Sequence, residues 1–98
     1  MRTKEEIMEK FHSASKKCGE FGSIVTNIGR AFDTGWDANG GRSTHEEEMG
    51  ALAQLALILE KEGKGMVGVE LMLIAKDIKE YAGGQLIVVW VLSLQSSA

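Results

Sequence analysis

The chain has no proline and a single cysteine among its 98 residues. Without proline nothing forces a helix to kink or stop, so long helices are permitted and the twelve glycines are left to punctuate them. One cysteine excludes an internal disulfide and any cysteine-cluster metal site. Strong charge of one sign is also missing. Eleven Lys and Arg stand against fourteen Asp and Glu, a net charge of −3. The basic residues are spread along the chain with Lys16-Lys17 the only adjacent pair, which is no footprint for nucleic acid. No apolar run approaches the roughly 20 residues needed to cross a bilayer. The opening Met-Arg-Thr-Lys-Glu-Glu lacks the apolar stretch of a secretory signal. Together these shortages predict a cytoplasmic protein that engages neither nucleic acid nor membrane. Hydrophobic content of 44% with 26% charge suits one folded domain over 1–98, with room for a single modest core.

The clearest positive signal lies near the start. Ile7, Phe11, Ala14, Cys18, Phe21, Val25, Ile28 and Phe32 succeed one another at spacings alternating between 4 and 3. That alternation places all of them on one narrow seam of a helix. Thr3 and Glu6 form a T-x-x-E capping box at its start, and Glu5 and Glu6 suit the positive end of the helix dipole. The spacing therefore predicts one continuous helix over about 4–33, roughly 45 Å long. Such a rod cannot cover its own seam, so other helices or a second copy must. Lys4, Glu9, Lys10, Ser13, Lys16, Lys17 and Glu20 read as its solvated face, with Glu6–Lys10 a favourable i,i+4 pair. Gly19, Gly22 and Gly29 each cost roughly 1 kcal/mol inside a helix. Gly22 and Gly29 lie beside the seam, where a missing side chain admits a neighbouring helix. A competing reading ends the helix near Gly19 and makes Ser23–Ile28 a strand, on the β-branched Ile24, Val25 and Thr26.

Residues 34–43 are dense in turn formers and predict a loop. Thr44 and Glu47 suggest a second capping box opening a helix over about 44–62. From Met49 to Leu59 this helix is apolar nearly all round, which predicts a central position. Gly63 and Gly65 mark a C-cap and tight connection. Val67, Leu71, Ile74, Ile78 and Tyr81 carry a third helix over about 66–82, with Lys76, Asp77, Lys79 and Glu80 outward, until Gly83-Gly84. The apolar run 86–94 comes next, as a short helix or a strand. Left in water it would aggregate. It predicts a homodimer interface through Leu86, Val88, Trp90 and Leu92. The fold class expected is all-α, a helical hairpin or bundle.

Several stretches approach known motifs. The loop at 35–46 resembles an EF-hand calcium loop: Asp37, Asn39, Gly40 and Glu46 take its third, fifth, sixth and twelfth places, with Ser43 at the ninth. Gly35 stands where the first Asp ligand belongs, and Arg42 where an apolar residue pairs the loop with a second one. The metal candidates are thus Asp37, Asn39 and Glu46. His45-Glu46-Glu47-Glu48-Met49 begins like the zinc-protease helix H-E-x-x-H, but Met49 replaces the second histidine. Glu47-Glu48 is similar to the first acidic motif of MazG-type nucleotide pyrophosphohydrolases, whose carboxylates converge on magnesium. Here Ala51 takes the second-turn acidic position, and Glu70 and Asp77 are seven apart rather than three. A helical hairpin with Trp36 in its turn is similar in length and shape to small WXG-type proteins, but Ala38 replaces their glycine.

No motif is complete, so no catalytic residue and no cofactor are assigned. Trp36 reads as a loop anchor folded onto the core and, if exposed, as the partner-binding hot spot. Met1, Met8, Met49, Met66 and Met72 read as core filler, Cys18 as a buried thiol, and His12 as a surface residue. The expectation is a non-catalytic helical module (adaptor, antagonist or immunity-type) that dimerises and binds another protein. Calcium or magnesium binding through 37–46, a degenerate carboxylate hydrolase, and a membrane-peripheral protein using the apolar run are the alternatives.

Overall fold

The computed structural model describes residues 2–35 and 45–83. They form four α-helices: α1 (Lys4–Lys17), α2 (Gly22–Thr34), α3 (Glu46–Lys61) and α4 (Gly65–Tyr81). No strand occurs among the described residues. The all-α expectation holds, and no helix among these residues is long and apolar enough to cross a membrane.

The first rod, however, is two helices. The α1 ladder ends at Cys18, whose N–H reaches back only to the Ser15 carbonyl, and a 3₁₀ turn spans Gly19–Phe21. Gly19 takes a left-handed φ of +55°, which a side chain resists and glycine does not. From there α2 folds back antiparallel along α1. Lys4 at the start of α1 meets Asp33 at the end of α2, Nζ to Oδ1 3.2 Å. The two halves of the seam thus face each other: Ile7, Phe11 and Ala14 on α1 and Cys18 at its end are buried with Val25, Ile28 and Phe32 on α2, in a core that α3 and α4 share. The glycines beside the seam admit a helix as expected, but that helix belongs to the same hairpin. A Cβ on Gly22 would stand 2.6 Å from the Ser15 carbonyl oxygen, and one on Gly29 3.1 Å from the Phe11 ring. Residues 23–28 are helical, within α2, so the competing strand at Ser23–Ile28 is also corrected. A left-handed Gly35, φ +71°, donates its N–H to the Ala31 carbonyl and ends α2.

The second half is another hairpin. After α3, Lys64 N–H bonds the Leu59 carbonyl and Gly63 N–H the Glu60 carbonyl, with Gly63 at φ +80°. This is a Schellman termination, and it turns the chain within three residues. Each helix packs on two neighbours in cyclic order, α1 on α2, α2 on α3, α3 on α4, and α4 on α1. The result is an up-down-up-down four-helix bundle. Leu52, Leu55, Leu59, Leu71, Ile74 and Ile78 complete the core from the second hairpin. Each such side chain fully buried contributes roughly 1.5–3 kcal/mol relative to exposure.

Ion pairs lock the α1–α4 edge. Asp77 accepts from Lys10 Nζ at 2.5 Å and Arg2 Nε at 3.1 Å, and Glu70 accepts from Lys17 Nζ at 2.9 Å. Lys10 therefore reaches across to α4 instead of pairing with Glu6, and Asp77, expected outward, is largely buried. Lys4, Lys10 and Lys17 tie helices together where a solvated face was expected. The Thr3–Glu6 capping box is present in both directions, at 3.2 and 3.0 Å. It holds the Glu6 carboxyl below the usual range, chiefly through the Thr3 backbone N–H.

Candidate interaction surface on the second hairpin

One end of the bundle is closed by rings from three helices and the residue that opens α3. Phe32 lies 6.0 Å from Phe11, 5.5 Å edge-on from Tyr81, and 4.9 Å from His45, centroid to centroid. His45 occupies the N-cap place of α3 in a left-handed conformation, φ 69°, with no side-chain capping bond. The helix thus starts at Glu46, and the expected Thr44–Glu47 box involves Thr44, which lies outside the described residues. His45 and Glu48 are both buried, at 7% and 3% exposure, with Nδ1 3.0 Å from Oε1. This pair is missed by reading His45–Met49 as a broken zinc motif. The i,i+3 spacing of a histidine and a glutamate at a helix start was its only trace in the sequence.

Among the described residues, the carboxylates considered as metal ligands do not converge. Glu46 and Glu47 point to solvent, Glu48 is held by His45, and Glu70 and Asp77 are held by α1 and the residue before it. Among the described residues no group of three or more His, Cys, Asp or Glu could hold a metal ion. Asp37, Asn39 and Trp36, like the interface expected at Leu86, Val88, Trp90 and Leu92, lie outside the described residues. His12 is exposed as expected. Cys18 is fully buried, and burial pushes its thiol above the ordinary range, with Glu70 adding and Lys64 opposing.

The distinctive surface lies on the outer side of α3 and α4. A Cβ on Gly68 would come within 2.9 Å of the Ala56 carbonyl oxygen, so the two backbones approach as closely as glycine permits. Their outward junction is therefore floored by small residues, Ala53, Ala56, Gly65 and Gly68. Leu57, Val69, Met72 and Leu73 stand around that floor, enclosing a groove of about 840 Å³ with Glu60 and Lys76 as its charged members. The apolar walls are open to solvent: Leu57 is 60% exposed and Val69 55%, and Met66 beside them reaches 82%. This corrects two expectations. α3 is not central: its all-round apolar character reflects an outer face that the other described helices leave uncovered, Leu57 and Ile58 included. Met66 and Met72 are not core filler, whereas Met8 and Met49 do pack against the core.

The α3–α4 pair thus presents an apolar groove to solvent. No family model, curated protein or solved structure matches the chain.

Proposed function

We propose that this protein is a non-catalytic helical interaction module of the cytoplasm, an adaptor, antagonist or immunity-type protein, that works as a homodimer. The observation that carries this reading is the contiguous apolar face of Leu57, Met66, Val69, Met72 and Leu73 around a floor of alanine and glycine. A monomer gains nothing by holding five large apolar side chains in water, whereas an interface gains from each one it covers. Exposed methionines suit such a face because their unbranched, polarizable side chains adapt to a partner's shape. The need for a second copy no longer comes from the first seam, which α3 and α4 help the α1–α2 hairpin to bury within one chain.

Light scattering on the eluting full-length chain tests the reading. Twice the monomer mass at low micromolar concentration is expected, and a monomer there overturns the homodimer. Calorimetric titration with calcium and magnesium separates this reading from the metal-dependent alternatives. No heat and no change in thermal stability are expected. Saturable heat with a rise in melting temperature would replace the interaction module with a metal-binding protein.

A further inference from the structure

Resting on the groove as an interaction face, and not on the homodimer, we infer that the chain's own apolar run at 86–94 seats in the α3–α4 groove of the same molecule. Any other protein face then gains the groove only by displacing that run. Two apolar surfaces in this chain need cover. The described helices leave Leu57, Val69, Met72 and Leu73 exposed around the groove. The run at 86–94, which lies outside the described residues, begins three positions after the last of them, and residues 84–98 carry no charged side chain. Such a segment has no charge to strip of water on entering an apolar groove, and every apolar side chain covered there is removed from solvent.

The distances suit this occupant. The α4 wall of the groove runs from Gly65 to Lys76, about 16 Å along the helix. Gly83 follows about 10 Å beyond Lys76, so the run departs from the nearer end of the groove. From Gly83 to Leu86 the chain spans up to about 10 Å, and a reversal at Gly83-Gly84, where glycine permits any turn, returns Leu86 to the level of Lys76. Nine residues from there cover about 13 Å as a helix or about 30 Å extended, most of the groove in either form. The tether also decides between occupants. A short linker holds the run at an effective concentration on the order of millimolar, roughly a thousandfold above a second copy at micromolar concentration.

The test places a bimane label, whose emission a tryptophan in contact quenches, on the full-length protein. A helical run brings Trp90 near Met72 and an extended one brings it near Val69, so the label is carried on Met72→Cys and, separately, on Val69→Cys. Cys18 is fully buried and stays unlabelled. At one of the two sites the emission is expected to be quenched relative to the same label with Trp90→Phe, and equally so on dilution. Leu57→Lys, at an exposed site across the groove, relieves the quenching while far-UV circular dichroism stays unchanged, since losing one buried leucine weakens the seating by about tenfold or more. Emission independent of Trp90 at both sites overturns the inference, as does quenching that survives Leu57→Lys. Quenching that fades on dilution, or that unlabelled wild-type chain restores to a labelled Trp90→Phe variant, overturns it too, because the run then comes from another molecule. Light scattering judges the homodimer separately. A dimer without Trp90-dependent quenching keeps the homodimer and removes the internal occupant, and a monomer with such quenching does the reverse.

Discussion

Replacing Gly22 by alanine distinguishes the folded-back hairpin from a continuous rod. Gly22 has ordinary helical angles, φ −60° and ψ −39°, so alanine is acceptable to the backbone there. In an isolated rod the exchange would stabilise by up to about 1 kcal/mol, the propensity difference between the two residues. In the hairpin the new methyl group lands 2.6 Å from the Ser15 carbonyl oxygen, an atom of the α1 backbone that cannot rotate aside. Relieving that overlap means prying α2 from α1, and overpacking of this kind costs about 1–3 kcal/mol. The clash offsets the propensity gain and leaves a net loss of up to about 2 kcal/mol, each kcal/mol lowering Tm by roughly 4–8 °C for a domain of this size. Gly50→Ala is the internal control. Gly50 is exposed within α3, with nothing within 4 Å of the added Cβ, so it shows the propensity gain alone, about 1 kcal/mol and a higher Tm. Urea and thermal melts of both variants at one protein concentration, monitored by far-UV circular dichroism, give the comparison. If Gly22→Ala stabilises as much as Gly50→Ala, the two halves do not meet as described.

Other perturbations probe other parts of the bundle. Asp77→Ala removes the acceptor shared by Lys10 and Arg2 and is expected to lower stability by about 1–2 kcal/mol, an effect that weakens in high salt. Equal losses at low and high salt in denaturant melts would contradict an electrostatic origin. Phe32→Ala opens the ring cluster that joins Phe11, His45 and Tyr81 and should cost about 3–5 kcal/mol, enough to unfold much of the population at physiological temperature. A cooperative melt shifted by only a few degrees would mean that the cluster contributes little to holding that end closed. Cys18 yields a pH dependence. Its folded thiol titrates above the unfolded one, so its contribution is complete below the unfolded value of about 8.5 and is lost as pH rises through the raised folded value. Stability should therefore decline on the alkaline side, and Cys18→Ala should flatten that decline while costing packing energy at every pH. An unchanged alkaline slope in the variant would assign the decline to other groups.

Much of the secondary structure could be read directly. The Thr3–Glu6 box, the buried positions from Ile7 to Phe32, the Gly63 turn and the Leu71–Ile78 stripe all rest on interactions within a few residues of one another. The hairpin at Gly19 was not evident because a 4-3 seam looks alike in a rod and in two halves folded face to face. Lys16-Lys17 with Gly19 just beyond is a C-terminal signature that outweighs the unbroken spacing once the uncovered seam is weighed against it. The candidate surface was hidden for a different reason. Apolar residues all round α3 are compatible with burial on every side or with one face left open. Only the positions of the other helices separate the two.

The order of residues thus determined the helical class, most helix boundaries, and which side chains of the first two helices are buried, because these depend on local spacing and capping. Tertiary structure decided that the two halves of the first seam face each other and that Lys10 and Lys17 tie to Asp77 and Glu70. It also decided that Leu57, Val69 and Met72 face outward. Those outcomes depend on which helices become neighbours, a matter of contacts between residues distant along the chain, and Gly68 against Ala56 sets how closely the last two can meet.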